Sequence, residues 1–170
     1  MNQIVSAPKG ALRISRERRG VYRLTTELLV DRPIDEVFEF FSDPRNLENI
    51  TPGWLTLRVR TRERIVMRKG TRIRYRFRVR GVPAIWHSEI TAWEPPHRFV
   101  DEQSLGPFRM WVHEHTFEEI DGRTLARDSV TYKVPGGRLL HGLFVEKDLR
   151  RLFGFRHDRL LQIFPSPAAG

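Results

Sequence analysis

The sequence predicts an α+β domain in which one curved antiparallel sheet packs against a long C-terminal helix. Apolar residues alternate with period two over most of the chain, and they change to helical spacing near residue 35 and again beyond residue 137. Gly- and Pro-containing turns separate the segments. A chain of 170 residues with 39% hydrophobic content is long enough for one domain with a core.

A strand and two short helices come first. Residues 21–30 are a strand-like run. Pro33 suits a first helical position, and Asp35 and Glu36 suit the positive end of the helix dipole. A second short helix begins at residues 43–44 and ends at residues 52–53, where Pro and Gly stop it. Six strand-like segments follow, at residues 54–62, 71–80, 84–93, 98–104, 108–118 and 124–134.

The C-terminal helix follows a Pro-Gly-Gly turn at residues 135–137. Its apolar residues lie close to one stripe that includes Val145, Leu149, Leu152, Phe153 and Leu160. We therefore expect a basic and flexible extension at residues 1–20, one domain at residues 21–164 and a tail at residues 165–170.

The charge is strongly positive, at +9. Five arginines alternate with apolar residues on one predicted strand and form a row on its outer face, namely Arg72, Arg74, Arg76, Arg78 and Arg80. A solvated face accounts for such a row. Docking to nucleic acid, to an anionic membrane or to an acidic protein is the alternative, and it requires salt-sensitive binding.

Several classes of chemistry are excluded. The sequence has no Cys, which removes disulfides, thiolate nucleophiles and thiolate metal ligands. No run approaches the roughly 20 apolar residues of a membrane-spanning helix. Basic residues stand where a secretory signal needs an apolar run, so a cytoplasmic protein is expected.

Two hairpins define the inward face of the sheet. A two-residue turn at Asp121-Gly122 pairs Phe117 with Ala126, His115 with Asp128, His113 with Val130 and Trp111 with Tyr132. A turn at Gly81-Val82 pairs Val79 with Ala84, Phe77 with Trp86, Tyr75 with Ser88 and Ile73 with Ile90. The opposite face of the first hairpin is far more polar and is expected to face solvent.

His113, His115 and Asp128 are the candidate catalytic residues. Residues directly opposite on paired strands have Cβ atoms about 4.5–5.5 Å apart, so Asp128 can orient His115 as a general base. A buried polar pair with a structural role is an alternative. Binding of zinc or non-haem iron by the same three residues is another, although no metal and no other cofactor is expected.

Two segments resemble the START-like, or SRPBCC, superfamily of polyketide cyclases, lipid-transfer domains and birch-pollen-type allergens, and especially a bacterial subgroup of stand-alone members. They read LLVDRPIDEVFEFFSDPRNLENITPGW and AWEPPHRFVDEQSLGPFRMWVHEHTFEEIDGRTLARDSVTYKVPGG. The resemblance spans about residues 21–164. It implies a helix-grip fold with a cavity for an apolar ligand between the sheet and the last helix.

The residues expected to contact that ligand are Tyr75, Phe77, Trp86, Ser88, Ile90, Trp111, Phe117, Val130, Tyr132, Leu149 and Phe153. The expected function is binding of a lipid, an isoprenoid or an aromatic polyketide-like molecule. The alternative is a cyclase, aromatase or dehydratase in which His115 abstracts a proton and Tyr75 or Tyr132 stabilises an enolate. A homodimer through an outward patch at Phe108, Met110 and Val112 is left open.

Overall fold

An antiparallel sheet of eight strands and a C-terminal helix organise the chain in a computed structural model, which describes residues 12–166. The strands are β1 (Arg13–Arg18), β2 (Val21–Val30), β3 (Arg58–Val59), β4 (Arg72–Val79), β5 (Val82–Glu94), β6 (Arg98–Leu105), β7 (Met110–Ile120) and β8 (Arg123–Lys133). The helices are α1 (Ile34–Ser42), α2 (Asn46–Asn49), α3 (Gly137–Leu140) and α4 (Glu146–Ile163).

The strands lie in the order β1-β2-β8-β7-β6-β5-β4-β3, and neighbouring strands are antiparallel. Helix α4 buries Leu149, Phe153 and Leu160 against the inward face of this sheet. Helix α1 buries Val37 and Phe38 against the same face. The α+β helix-grip prediction is confirmed.

The β7–β8 hairpin has the predicted register. Asp121 and Gly122 both have positive φ, as a two-residue type I′ turn requires, and His115 lies opposite Asp128. Alternate residues of β7 are buried from Trp111 to Phe117, which is the predicted inward face.

The β4–β5 register differs from the prediction by two residues. The turn residues are Arg80 and Gly81, both with positive φ, so Tyr75 lies opposite Trp86 and Ile73 opposite Ser88. A shift of two positions keeps every side chain on its predicted face, since side chains alternate with period two.

The predicted flexible extension is wrong for residues 13–18, which form β1 and pair with β2. Only Ile14 of this strand is partly buried, so the strand has no apolar alternation that sequence patterning could detect. Its arginines lie on an exposed edge, where charged side chains discourage pairing with a second chain. Residues 1–11 of the extension and residues 167–170 of the tail lie outside the described residues.

Two further predictions change in detail. Residues 54–62 form only the short strand β3, preceded by a 3₁₀ turn at Gly53–Leu55 and by Thr56 in the left-handed region. The C-terminal helix runs on from α3 to α4 through a π-helical turn at His141–Val145. Within residues 12–166, no helix combines the length and the apolar character needed to cross a bilayer.

Candidate functional site

A cavity of about 460 Å³ lies between the inward face of the sheet and α4. This volume falls within the roughly 300–1,000 Å³ of small-molecule sites. Strands β4 to β7 form one wall, and Leu149, Leu152 and Leu160 of α4 contribute to the other. Phe40, Phe41 and Leu47 from the α1–α2 region add to the lining. Most of the surrounding side chains are aromatic or aliphatic.

Seven of the residues expected to contact a ligand line this cavity, namely Tyr75, Phe77, Trp86, Ser88, Ile90, Trp111 and Leu149. Trp86 and Trp111 pack edge to face with ring centroids 5.2 Å apart. Phe108 joins them, at 5.9 Å from Trp86 and 4.7 Å from Trp111. Phe108 therefore belongs to the cavity wall and not to the outward patch predicted for a dimer.

The other four expected contact residues lie outside the wall of the main cavity. Phe117 packs among Phe38, Phe41 and Phe99 in the core. Val130 is fully buried in a core cluster that includes Leu24 and Leu149, and Tyr132 is buried with its hydroxyl 2.9 Å from His141 Nε2. Phe153 lines a separate small cavity of about 20 Å³. Inward-facing residues therefore pack in the core where the helices contact the sheet directly, and they line the cavity where the helices and the sheet are separated.

His113, His115 and Asp128 come together on the cavity wall. His113 Nε2 donates a hydrogen bond to Asp128 Oδ1 at 3.0 Å. His115 Nδ1 is closer, at 2.8 Å from the same oxygen, but its geometry does not satisfy a hydrogen bond. Thr26 donates to Asp128 Oδ2 at 3.1 Å. The predicted cluster is therefore real, but its hydrogen bond joins Asp128 to the diagonal histidine and not to the opposite one.

Sequence reasoning missed Asp101, which completes this cluster. Asp101 lies opposite His113 across the β6–β7 ladder, and its Oδ1 is 3.7 Å from His113 Nδ1 and 3.4 Å from His115 Nε2. Its position on β6 carried only a weak signal: Asp101 follows the buried Phe99 by two positions and so shares its face, but the adjacent Val100 is buried as well.

Sequence reasoning also missed Arg156. It follows Phe153 by three positions and precedes Leu160 by four, so it interrupts the buried stripe of α4. It lines the cavity, and its guanidinium carbon lies 5.0 Å from the Phe153 ring centroid. Its Nε is buried, and Arg156 donates no hydrogen bond to any residue among those described. Burial lowers the pKa of Arg156, whereas the charges of Asp128 and Asp101 oppose that shift.

Burial and neighbouring charges set the protonation of the cluster. Burial acts to lower the pKa of His115, but Asp101 and Asp128 together raise it to about 9. Burial and the charge of His115 lower the pKa of His113. Despite burial, the two imidazoles lower the pKa of Asp128 well below its usual range. With a pKa of about 9, His115 is protonated at neutral pH, which is opposite to the state that a general base needs.

The arginine row of β4 lies on the exposed face of the sheet. Arg72 pairs with Glu89 at 2.8 Å, and Arg74 lies 3.8 Å from Glu63. Arg80 belongs to the turn instead, where it makes two 3.1 Å hydrogen bonds to Asp148 of α4. Neighbouring acidic side chains thus neutralise part of the positive charge of these arginines.

A curved sheet closed by a C-terminal helix over an apolar cavity defines a helix-grip domain of the START-like, or SRPBCC, superfamily. The chain belongs to the polyketide cyclase / dehydrase and lipid transport family, whose model matches residues 30–158. No curated protein matches the chain in sequence.

Solved structures share the fold at low sequence identity. Protein Ms6760 from Mycobacterium smegmatis is 20% identical with a TM-score of 0.65, over 90% of this chain and 95% of that one. A major latex-like protein from Panax ginseng is 15% identical with a TM-score of 0.64, over 86% and 99%. A protein from Arthrobacter aurescens is 15% identical with a TM-score of 0.65, over 92% of each chain. These likenesses concern the fold alone.

Proposed function

We propose that this protein binds an apolar small molecule in the cavity between the sheet and α4, with a hydrogen-bond-accepting group of that molecule beside Arg156. The cavity carries the proposal, because a volume of about 460 Å³ lined by Phe77, Trp86, Trp111 and Leu149 offers an apolar molecule a large apolar surface to contact. A lipid, an isoprenoid and an aromatic polyketide-like molecule all have this chemistry.

Arg156 supports the position of the accepting group. A guanidinium that is partly buried and has no hydrogen-bond partner among the described residues is left with unsatisfied donors. A carboxylate or carbonyl oxygen at the end of an apolar ligand satisfies those donors, while the apolar part contacts the aromatic wall.

The test is a titration with the fluorescent apolar probe N-phenyl-1-naphthylamine, followed by displacement with dodecanoate. Leu152 lines the cavity, whereas Leu161 on the same helix is 46% exposed and does not line it. Leu152→Trp fills the cavity and is expected to weaken probe binding by about tenfold or more, which corresponds to about 1.4 kcal/mol. Leu161→Trp is the matched control and is expected to bind the probe as the wild type does. The proposal is contradicted if both variants bind the probe equally weakly. It is also contradicted if the wild type and both variants all fail to show saturable binding.

Catalysis on the bound molecule is a second candidate function. The observation that favours it is the position of the His113–Asp128 pair on the cavity wall, in reach of a bound molecule. Proton exchange at the central carbon of 3-dodecyl-2,4-pentanedione in D₂O, followed by NMR, tests it. Exchange faster than in buffer that is lost in His113→Gln, with probe affinity unchanged, supports catalysis. Exchange at the buffer rate in the wild type contradicts it.

A further inference from the structure

The two imidazoles of the cavity cluster lie between two carboxylates. On one side, His113 Nε2 and His115 Nδ1 are 3.0 Å and 2.8 Å from Asp128 Oδ1. On the other side, His113 Nδ1 and His115 Nε2 are 3.7 Å and 3.4 Å from Asp101 Oδ1. Every ring nitrogen therefore faces a carboxylate oxygen.

A proton count shows what this arrangement lacks. A neutral imidazole carries one N–H and one lone pair, and an ionised carboxylate only accepts. When both imidazoles are neutral and both N–H groups are directed to Asp128, the two lone pairs face Asp101 Oδ1, and one proton taken up by His115 places a single positive charge among these atoms. A second proton would create two imidazolium rings whose centroids are 3.8 Å apart in a buried site. A single divalent cation supplies the same charge at one point.

The spacing of the three atoms fits such a cation. Zinc binds nitrogen and oxygen ligands at about 2.0–2.2 Å, so two ligands of a tetrahedral site lie about 3.3–3.6 Å apart. The distances from Asp101 Oδ1 to the two nitrogens, 3.4 Å and 3.7 Å, are close to this range. Donor atoms of Asp101, His113 and His115 all lie within 4.8 Å of one another.

The far side of each ring has the support that metal-bound histidines require. A ligating histidine usually donates its other N–H to a carboxylate, which fixes the tautomer and the orientation of the ring. Asp128 Oδ1 accepts such a hydrogen bond from His113 and lies 2.8 Å from the corresponding nitrogen of His115, and Thr26 donates to Asp128 in turn. The sequence suggested Asp128 as a metal ligand, whereas the geometry gives that place to Asp101 and puts Asp128 behind the rings.

We propose that Asp101, His113 and His115 bind a divalent transition-metal ion of the zinc class at the cavity wall, with Asp128 orienting both imidazoles. Three protein ligands leave a fourth position, and because all three residues line the cavity, we expect that position to be open to it. The ion replaces the proton that otherwise bridges His115 and the carboxylates, and that proton leaves to solvent. This inference goes beyond the binding of an apolar molecule and does not depend on it.

The experiment titrates chelator-treated full-length protein with zinc chloride in a calorimeter and follows cobalt(II) binding by visible absorption. One ion per chain is expected. Asp101→Asn keeps the shape of the side chain but removes the anionic ligand, and it is expected to weaken zinc binding more than about 100-fold. Asp128→Asn is expected to weaken it by about 10–100-fold, as loss of a supporting carboxylate does.

Glu102→Gln is the matched control. Glu102 neighbours Asp101 on β6 but points to the other face, where it accepts a hydrogen bond from Thr91, so zinc affinity is expected to stay within about twofold of the wild type. Equal affinity of Asp101→Asn and Glu102→Gln overturns the proposal, as does the absence of one-to-one binding in the wild type. X-ray absorption at the zinc edge of the wild-type protein decides the matter if a variant fails to fold. Two imidazoles in the coordination shell support the site, and any other number contradicts it. The outcome is separable from the probe titration, since it is measured without an apolar ligand.

Discussion

His113 Nε2 lies 3.0 Å from Asp128 Oδ1, although the residue directly opposite Asp128 on the neighbouring strand is His115. Asp128 therefore contacts both histidines of β7, its opposite neighbour and its diagonal one. Such contacts tie β7 to β8 at the cavity wall. The same carboxylate that holds the rings in place thus contributes to the stability of the fold.

Asp128→Asn is expected to lower the free energy of unfolding by about 2 kcal/mol, the contribution of hydrogen bonds to a charged group. Urea denaturation of metal-free protein measures it. Ser129→Ala changes the next residue, which points to the other face of β8, and should stay within about 0.5 kcal/mol of the wild type. If the two variants are equally stable, Asp128 has no structural role.

Replacement by alanine is expected to lower the free energy of unfolding at Gly81, in the β4–β5 turn, and to raise it at Gly154, in α4. Gly81 has φ +85° and no atom within 4 Å of an added Cβ, so Gly81→Ala is strained by its backbone alone. We expect a loss of about 1 kcal/mol.

Gly154→Ala in α4 also meets nothing within 4 Å, and its backbone is helical. It should gain about 0.5–1 kcal/mol, because alanine is the better helix former. Thermal unfolding of the two variants checks the signs. A neutral Gly81→Ala would argue against a turn at Arg80 and Gly81.

Turn chemistry explains how much of the sheet could be predicted from the sequence. Asp121-Gly122 is a strong two-residue turn signal, and it determined the β7–β8 register and with it the meeting of His115 and Asp128. The β4–β5 turn was placed one residue late, because Arg80 is an uncommon residue for positive φ. The prediction of which side chains face inward is still correct, because the register differs by two residues and side chains alternate with period two.

The missed residues have a common cause. Asp101 and Arg156 occupy inward positions on β6 and α4, where patterning expects apolar side chains, and a charge at such a position is readily dismissed as solvent-exposed. Strand β1 was missed because it contributes only one partly buried side chain to the core. The distance between the sheet and the helices decides which inward residues line the cavity and which pack against α1. A sequence pattern contains no information about that distance.

Substitutions at Phe117 and Trp86 are expected to have different effects, because Phe117 packs in the core and Trp86 lines the cavity. Phe117→Leu removes aromatic contacts with Phe38, Phe41 and Phe99, and it should lower the free energy of unfolding by about 1–2 kcal/mol. Its affinity for N-phenyl-1-naphthylamine should stay that of the wild type, since it lies outside the cavity wall.

Trp86→Leu should instead lower that affinity by about tenfold, because it removes an aromatic surface from the cavity. Denaturation curves and probe titrations of both variants give the comparison. Loss of probe binding in Phe117→Leu with no change in Trp86→Leu would contradict the assignment of the two residues.

His141 gives the fold a pH dependence outside the cavity cluster. His141 is 4% exposed, and its imidazole stacks on Tyr22 with centroids 3.5 Å apart and lies 2.9 Å from the Tyr132 hydroxyl. Burial lowers its pKa in the folded state below the ordinary value of 6.5. The unfolded chain therefore takes up the proton first as the pH falls, so the contribution of His141 to stability is complete above about pH 6.5 and declines below it.

His141→Gln removes this titration. The free energy of unfolding should fall less between pH 7.5 and pH 5 in the variant than in the wild type, as measured by urea denaturation at each pH. A variant that loses as much stability as the wild type over this interval would show that His141 does not titrate differently in the two states.

The central claim is that an apolar molecule occupies the cavity between the sheet and α4. Native mass spectrometry of wild-type protein and of Leu152→Trp, both purified from the same host and then extracted for small molecules, tests it most directly. We predict a one-to-one apolar adduct on the wild type that is absent from Leu152→Trp. An adduct on both proteins would place the ligand elsewhere, and an empty wild-type protein that also fails to bind N-phenyl-1-naphthylamine would contradict the claim.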